Sequence, residues 1–140
     1  MFTTRYFPFV GRLMIGLPFA MSGLGKLGAY SATTGMISAV GLPFPPLAFA
    51  VSVAIELGGG LFLIAGYRAR YVAATLALFS LVTAMWFHNN IADQNQMIHF
   101  LKNVMMAGGL LQIAAFGAGA VSIDNRRKTG ELGANAARAA

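Results

Sequence analysis

The chain has 140 residues, enough for one domain at most. Charged residues make up 10% of it, against about 25% in a soluble globular domain, and hydrophobic residues make up 57%. With a mean hydropathy of +0.67, this composition excludes an ordinary soluble domain and a disordered chain, and it predicts a small polytopic membrane protein. The absence of cysteine excludes disulfides, iron–sulfur clusters and thiolate zinc sites.

Four apolar segments are long enough to cross a bilayer, which takes about 20 mostly apolar residues. We expect membrane-spanning helices at residues 7–25, 46–66, 71–88 and 97–121. Together they predict an all-α, four-transmembrane-helix bundle that occupies residues 1–124. Between the first two spans, residues 31–40 predict a short interfacial or re-entrant helix that a Gly- and Pro-rich segment ends. Residues 125–140 are small and polar, and we expect a flexible cytoplasmic tail.

The distribution of basic residues predicts the orientation of the bundle. With four spans, both termini and the loop between the second and third spans lie on one side of the membrane. That side carries seven basic residues: Arg5, Arg68, Arg70, Arg126, Arg127, Lys128 and Arg138. The other side carries Lys26 at a helix end and Asp93 in a loop. The positive-inside rule therefore predicts that both termini are cytoplasmic. The net charge of +6 is explained this way, so we expect no nucleic-acid partner.

The first apolar run is predicted to be a span and not a cleaved signal peptide. Pro8, Arg12 and Pro18 interrupt it, and no good cleavage site follows at the right distance.

Three charged residues fall inside the predicted spans, namely Arg12, Glu56 and Lys102. A charge at bilayer depth costs at least ~2.5 kcal/mol, so each needs a partner or a role. Counting residues along the helices places Arg12 and Glu56 at similar depths, and a guanidinium matches a carboxylate well. We therefore predict an Arg12–Glu56 ion pair inside the bundle. It would be a structural pair that fixes helix register, or part of a polar patch beside a ligand or proton site.

A second group of polar residues gathers near the outer side. Lys102 and Asn103 lie about one turn into the fourth span, and His99 lies one turn above Lys102. Lys26 ends the first span near the same level, and Glu56 would form the floor. These five residues predict a ligand pocket with residues 31–46 as a lid, suited to a carbonyl, a phenolate or another anionic group. The alternative is that Lys102 snorkels outward and Asn103 caps or bridges helices.

Two histidines, His88 and His99, flank the loop between the third and fourth spans. Two histidines on neighbouring helices could ligate a b-type haem or hydrogen-bond a quinone carbonyl. The alternative is a pair of interfacial histidines that bond water or backbone. The haem signal is weak, because a single pair at one depth is not distinctive, and we expect no other metal site.

An ordered set of motifs resembles the DoxX family of small membrane proteins. The first span contributes Arg12, Gly16 and the segment 22–26. The motifs that follow are residues 41–43, 56–59, 102–103 and 108–111. The motifs follow one another in the order found in the family, along residues 5–124.

The resemblance implies a four-helix inner-membrane protein that serves as an accessory or anchoring subunit of a redox or stress-response complex. Some family members resemble the small subunit of thiosulfate:quinone oxidoreductase, so a quinone-binding oxidoreductase subunit is the alternative function. A quinone is the one cofactor that the resemblance suggests. A soluble or membrane redox protein, or a second copy of the chain, is the partner it suggests. A small transporter or a membrane-protein assembly factor is a further alternative. The sequence contains no complete catalytic constellation.

Overall fold

The computed structural model describes residues 2–139, and this part of the chain is helical without a strand. Its α-helices are α1 (Phe2–Leu27), α2 (Tyr30–Ala39), α3 (Pro45–Val53), α4 (Gly59–Ala65), α5 (Ala69–Phe87), α6 (Gln94–Phe116) and α7 (Ile123–Ala139). A π-helical turn, Ala54–Gly58, joins α3 and α4 into one continuous span. Four stretches are long and apolar enough to cross a membrane: Arg5–Leu27, Pro45–Ala65, Ala69–Phe87 and Gln94–Phe116. The predicted all-α architecture with four spans is confirmed.

The turn between α4 and α5 is short because Gly66 ends the first helix and Asp124 caps the second. Gly66 takes the left-handed conformation (φ 68°) and ends α4 with the paired hydrogen bonds of a Schellman motif, Gly66 N to Leu63 O and Tyr67 N to Phe62 O. The N-terminus of α5 is capped by a residue that is distant in sequence. The Asp124 carboxylate accepts hydrogen bonds from the backbone N–H groups of Arg68 (2.7 Å) and Ala69 (2.8 Å). The start of α7 is thereby tied to the start of α5.

Helix α1 packs against the second span through glycines. A Cβ built on Gly60 would lie 2.6 Å from both Ala20 N and Gly16 O, and one built on Gly23 would lie 2.6 Å from Leu57 N. The two backbones are therefore nearly in contact, as small residues allow in membrane helices. Helices α5 and α6 form the other close pair. The core between the pairs consists mainly of leucine, alanine and one phenylalanine: Phe19, Leu63, Ala73, Leu76, Ala77, Ala107 and Leu110.

The structure differs from the sequence-based prediction at the chain's C-terminal end. Helix α6 ends at Phe116, before the expected residue 121, because Gly117 and Gly119 adopt positive φ (88° and 79°) and turn the chain. Residues Ile123–Ala139 form helix α7, which includes most of the segment predicted to be a cytoplasmic tail. The segment is rich in alanine, the strongest helix former, and Asp124 lies in its first turn.

The glycine contact generates a test with a control on the same span. We expect Gly60→Ala to lower stability by about 1–3 kcal/mol, because the new methyl group meets backbone atoms that cannot rotate away. Gly58→Ala has no atom within 4 Å of the new Cβ, so it should be neutral or slightly stabilising through helix propensity. Thermal unfolding of both purified variants in detergent measures the difference, and equal melting temperatures would contradict the packing described.

Candidate functional site

Arg12 is the only fully buried cation among the residues whose side chains the structure describes, with 0% of its surface exposed. Its Nη1 donates hydrogen bonds to Leu63 O (2.8 Å) and Ile64 O (2.7 Å), and its Nη2 donates to Val121 O. The guanidinium carbon lies 5.6 Å from the centre of the Phe9 ring. Two of these carbonyls belong to the last turn of α4, where the regular helical hydrogen bonds end, and Leu63 O also accepts from Gly66 N. Arg12 therefore joins α1, the end of α4 and the segment before α7.

The predicted Arg12–Glu56 pair is corrected by this geometry. Because α1 crosses the second span with Gly16 against Gly60 and Gly23 against Leu57, Arg12 lies level with the end of α4. Glu56 lies two turns away from Leu63, about 10 Å along the span. The depth estimate failed because it counted from assumed helix ends, whereas the packing of the glycines sets the register.

Glu56 instead forms a salt bridge with Lys26, which is its one salt-bridge partner among the described residues. Its side chain is nearly buried, and Ser22 Oγ donates to the second carboxylate oxygen at 3.2 Å. Lys26 Nζ also lies 5.9 Å from the centre of the Phe79 ring. Glu56 belongs to the π-helical turn, and Ser22 and Lys26 are one turn apart on α1. An opposite charge and a hydroxyl thus satisfy a carboxylate that would be costly alone at this depth.

Lys26 also lines a cavity of about 360 Å³ beneath α2. Its walls come from α1, α2, α3 and α5, and are mostly apolar, with three hydroxyls and one imidazole. They are formed by Lys26, Thr33, Met36, Ile37, Leu42, Ala48, Val51, Ser52, Phe79, Val82, Thr83, Trp86, Phe87 and His88. The hydroxyls of Ser52 and Thr83 donate to backbone carbonyls of their own helices. One ammonium beside a large apolar surface suits a lipophilic molecule with an acceptor oxygen.

The structure brings together only part of the pocket predicted from sequence. Lys26 and Glu56 meet, and helix α2 covers the cavity as the lid segment was expected to do. Lys102 is exposed on the outside of α6, and Asn103 Nδ2 donates to His99 O of its own helix (2.9 Å). The prediction that α6 forms a wall of the pocket is therefore wrong. Helix α5 lines the cavity instead, through Phe79, Thr83 and Trp86. Their spacing of four and three residues was the available signal in the sequence.

His88 and His99 do meet at the edge of this cavity. Their rings stack with centroids 5.0 Å apart and planes inclined by 21°, and His88 Nδ1 lies 3.0 Å from Gln96 Oε1. Two ligands of one haem iron approach it from opposite faces of the macrocycle, so rings stacked on each other do not fit the haem hypothesis. The pair connects the end of α5 to the start of α6.

The fold and these contacts define a class: a small four-span helical membrane protein whose first helix carries a buried cation, Arg12, and, towards its other end, a partly buried ion pair. Residues 7–89 match the DoxX family. The chain belongs to the DoxX family and is an integral membrane protein.

Two relatives from Escherichia coli (strain K12) cover most of the chain. It is 36% identical over 115 residues to the inner membrane protein YqjF, covering 82% of this chain and 87% of that one. It is 31% identical over 138 residues to the inner membrane protein YphA, covering 89% and 99%. The ER-derived vesicles protein ERV29 of Saccharomyces cerevisiae is 28% identical over 149 residues, but only 48% of its length is covered. No solved structure matches the chain.

The corrected pairing is tested by two double-mutant cycles in thermal or denaturant unfolding. Lys26→Met and Glu56→Gln should show a coupling energy of about 0.5–3 kcal/mol, because each single change leaves its partner without a counter-charge. Arg12→Met and Glu56→Gln should be additive within about 0.5 kcal/mol, since they share no partner. Coupling in the second cycle and additivity in the first would contradict the Lys26–Glu56 pair and support an Arg12–Glu56 pair.

Proposed function

We propose that this protein is an accessory membrane subunit of a redox or stress-response complex, and that it holds a lipophilic carbonyl compound of the quinone class under α2. The observation that supports this most is the Lys26 ammonium at the wall of a mostly apolar cavity of about 360 Å³. The inner membrane is its expected location, with both termini facing the cytoplasm.

The cavity suits a quinone head group in shape and in donors. Phe79, Trp86 and Phe87 supply flat apolar surface on α5, and Ile37 closes the side under α2. A quinone oxygen accepts hydrogen bonds, and Lys26 has three N–H bonds, one of which points to Glu56. When bound, a quinone would supply two-electron redox chemistry. The chain's own contribution would be to bind the ring, orient one carbonyl at Lys26 and exclude water.

A binding role is favoured over catalysis by how the polar groups are used. The Glu56 carboxylate is neutralised by Lys26, and the Ser52 and Thr83 hydroxyls donate to backbone carbonyls. These groups are held in place by the bundle, so they are suited to recognition more than to bond making. An electron donor or acceptor protein would then be the partner that uses the bound molecule.

The single tryptophan of the chain gives a direct binding assay. Trp86 lines the cavity, so its emission responds to a molecule bound there. We expect a short-chain benzoquinone to quench it saturably in detergent-purified protein. Ala48→Phe places a ring in the cavity and should weaken binding at least tenfold. Lys26→Met should lower the affinity for the quinone and leave the affinity for an alkylbenzene of the same size unchanged.

Ala50→Phe is the matched control for Ala48→Phe, because Ala50 lies on the same helix, is exposed and does not line the cavity. It should keep the affinity of the unmodified protein. If quenching never saturates, or if both phenylalanine variants quench alike, the quinone has only partitioned into the micelle and the proposed function is wrong.

A further inference from the structure

A second cavity, of about 520 Å³, lies at the opposite end of the bundle, where α5 begins, α6 ends and α7 leaves. Four exposed basic side chains line it: Arg68, Arg70, Arg127 and Lys128. We call it the basic groove. The function proposed above does not use it, and none of its residues belongs to the quinone cavity.

The acidic residues of the basic groove do not cancel this charge. Asp124 lies in the wall, but both of its oxygens accept backbone N–H groups from the first turn of α5. Glu131 is exposed and lies on the second turn of α7 after Asp124. Four cations against two carboxylates, one of them already bonded, leave a concave surface that attracts anions.

The basic groove is held in a defined shape by contacts of its own arginines. Arg127 and Arg68 lie over the Tyr67 ring, at 5.4 Å and 6.0 Å from its centre. The Arg70 guanidinium lies against Gly117, where a Cβ would come within 3.3 Å of its Nε. Since Gly117 has positive φ and no side chain, the arginine packs directly on the turn that ends α6.

The level of the groove along the bundle points to the kind of anion. It lies where the span Ala69–Phe87 begins and the span Gln94–Phe116 ends, which is the depth of lipid head groups. Two large side chains at its edge, Tyr71 (77% exposed) and Phe116 (79% exposed), face outward on the membrane side. A molecule bound here would meet cations at one end and apolar surface at the other.

We infer that the basic groove binds the phosphate-bearing head group of an anionic phospholipid, whose acyl chains run along Tyr71 and Phe116. Arg70 and Lys128 contact the phosphate from opposite walls, α5 and α7. Basic pockets between membrane helices recognise such head groups in this way. The bound lipid would fix α7 against the membrane surface.

Native mass spectrometry of the delipidated full chain, in an uncharged detergent, tests the site. We expect phosphatidylglycerol to bind at least tenfold more tightly than phosphatidylcholine with the same acyl chains. The double variant R70Q/K128Q should bind phosphatidylglycerol about 30-fold more weakly, or about 2 kcal/mol at 1.4 kcal/mol per tenfold, because each basic residue near the phosphate contributes comparably.

The matched control is R5Q/R126Q, which removes the same charge at the same end of the bundle from exposed residues outside the groove. It should stay within threefold of the unmodified protein. Equal weakening in both double variants would show diffuse attraction and overturn the site. So would equal affinity for the two lipids, or inorganic phosphate binding as tightly as phosphatidylglycerol. Should R70Q/K128Q melt early, K128Q alone should still weaken binding about fivefold.

Discussion

The buried guanidinium of Arg12 is the interaction on which the arrangement of the bundle depends. A cation without water must find acceptors, and Arg12 finds them in backbone carbonyls of α4 and of the segment before α7. Its Nε meets no acceptor among the described residues, so the hydrogen bonds of the guanidinium are the three from its Nη atoms to these carbonyls. One side chain thereby fixes three parts of the chain that are distant in sequence.

The two ends of α1 have different roles because the helix is tied to the second span at both. Near Arg12 the neighbouring polar contacts are structural: Gly66 ends α4, and Asp124 caps α5. Near Lys26 the partner is a side chain, Glu56, in a π-helical turn, a feature that often accompanies functional sites. The ion pair there borders a cavity, whereas Arg12 is closed in. Ligand binding is thus expected at the Lys26 end, and head-group binding at the basic end.

The sequence was sufficient for what depends on composition and periodicity. Four apolar segments predicted four spans, and residues 31–40 predicted the short helix α2, which the Gly- and Pro-rich stretch after residue 40 ends. The sequence was insufficient to predict which residues of neighbouring helices meet, because that depends on the register of helix packing. Arg12 and Glu56 looked close because helix ends were estimated by counting, while the contact of Gly16 with Gly60 decides which residues meet. Lys102 was predicted to line a pocket because of its depth in the fourth span, yet α6 packs mainly on α5 and leaves Lys102 exposed. The residues around Lys102 do not by themselves determine which face of α6 packs against the bundle.

The stability of an Arg12→Met variant tests most directly whether this guanidinium organises the bundle. The change deprives Ile64 O and Val121 O of their donor, while Leu63 O keeps a bond from Gly66 N. With about 1–3 kcal/mol for each unsatisfied buried acceptor, we expect the free energy of unfolding to fall by about 2–6 kcal/mol. Arg5→Met, which changes an exposed arginine on the same helix, should leave it nearly unchanged. Equal stability of the two variants would contradict the account.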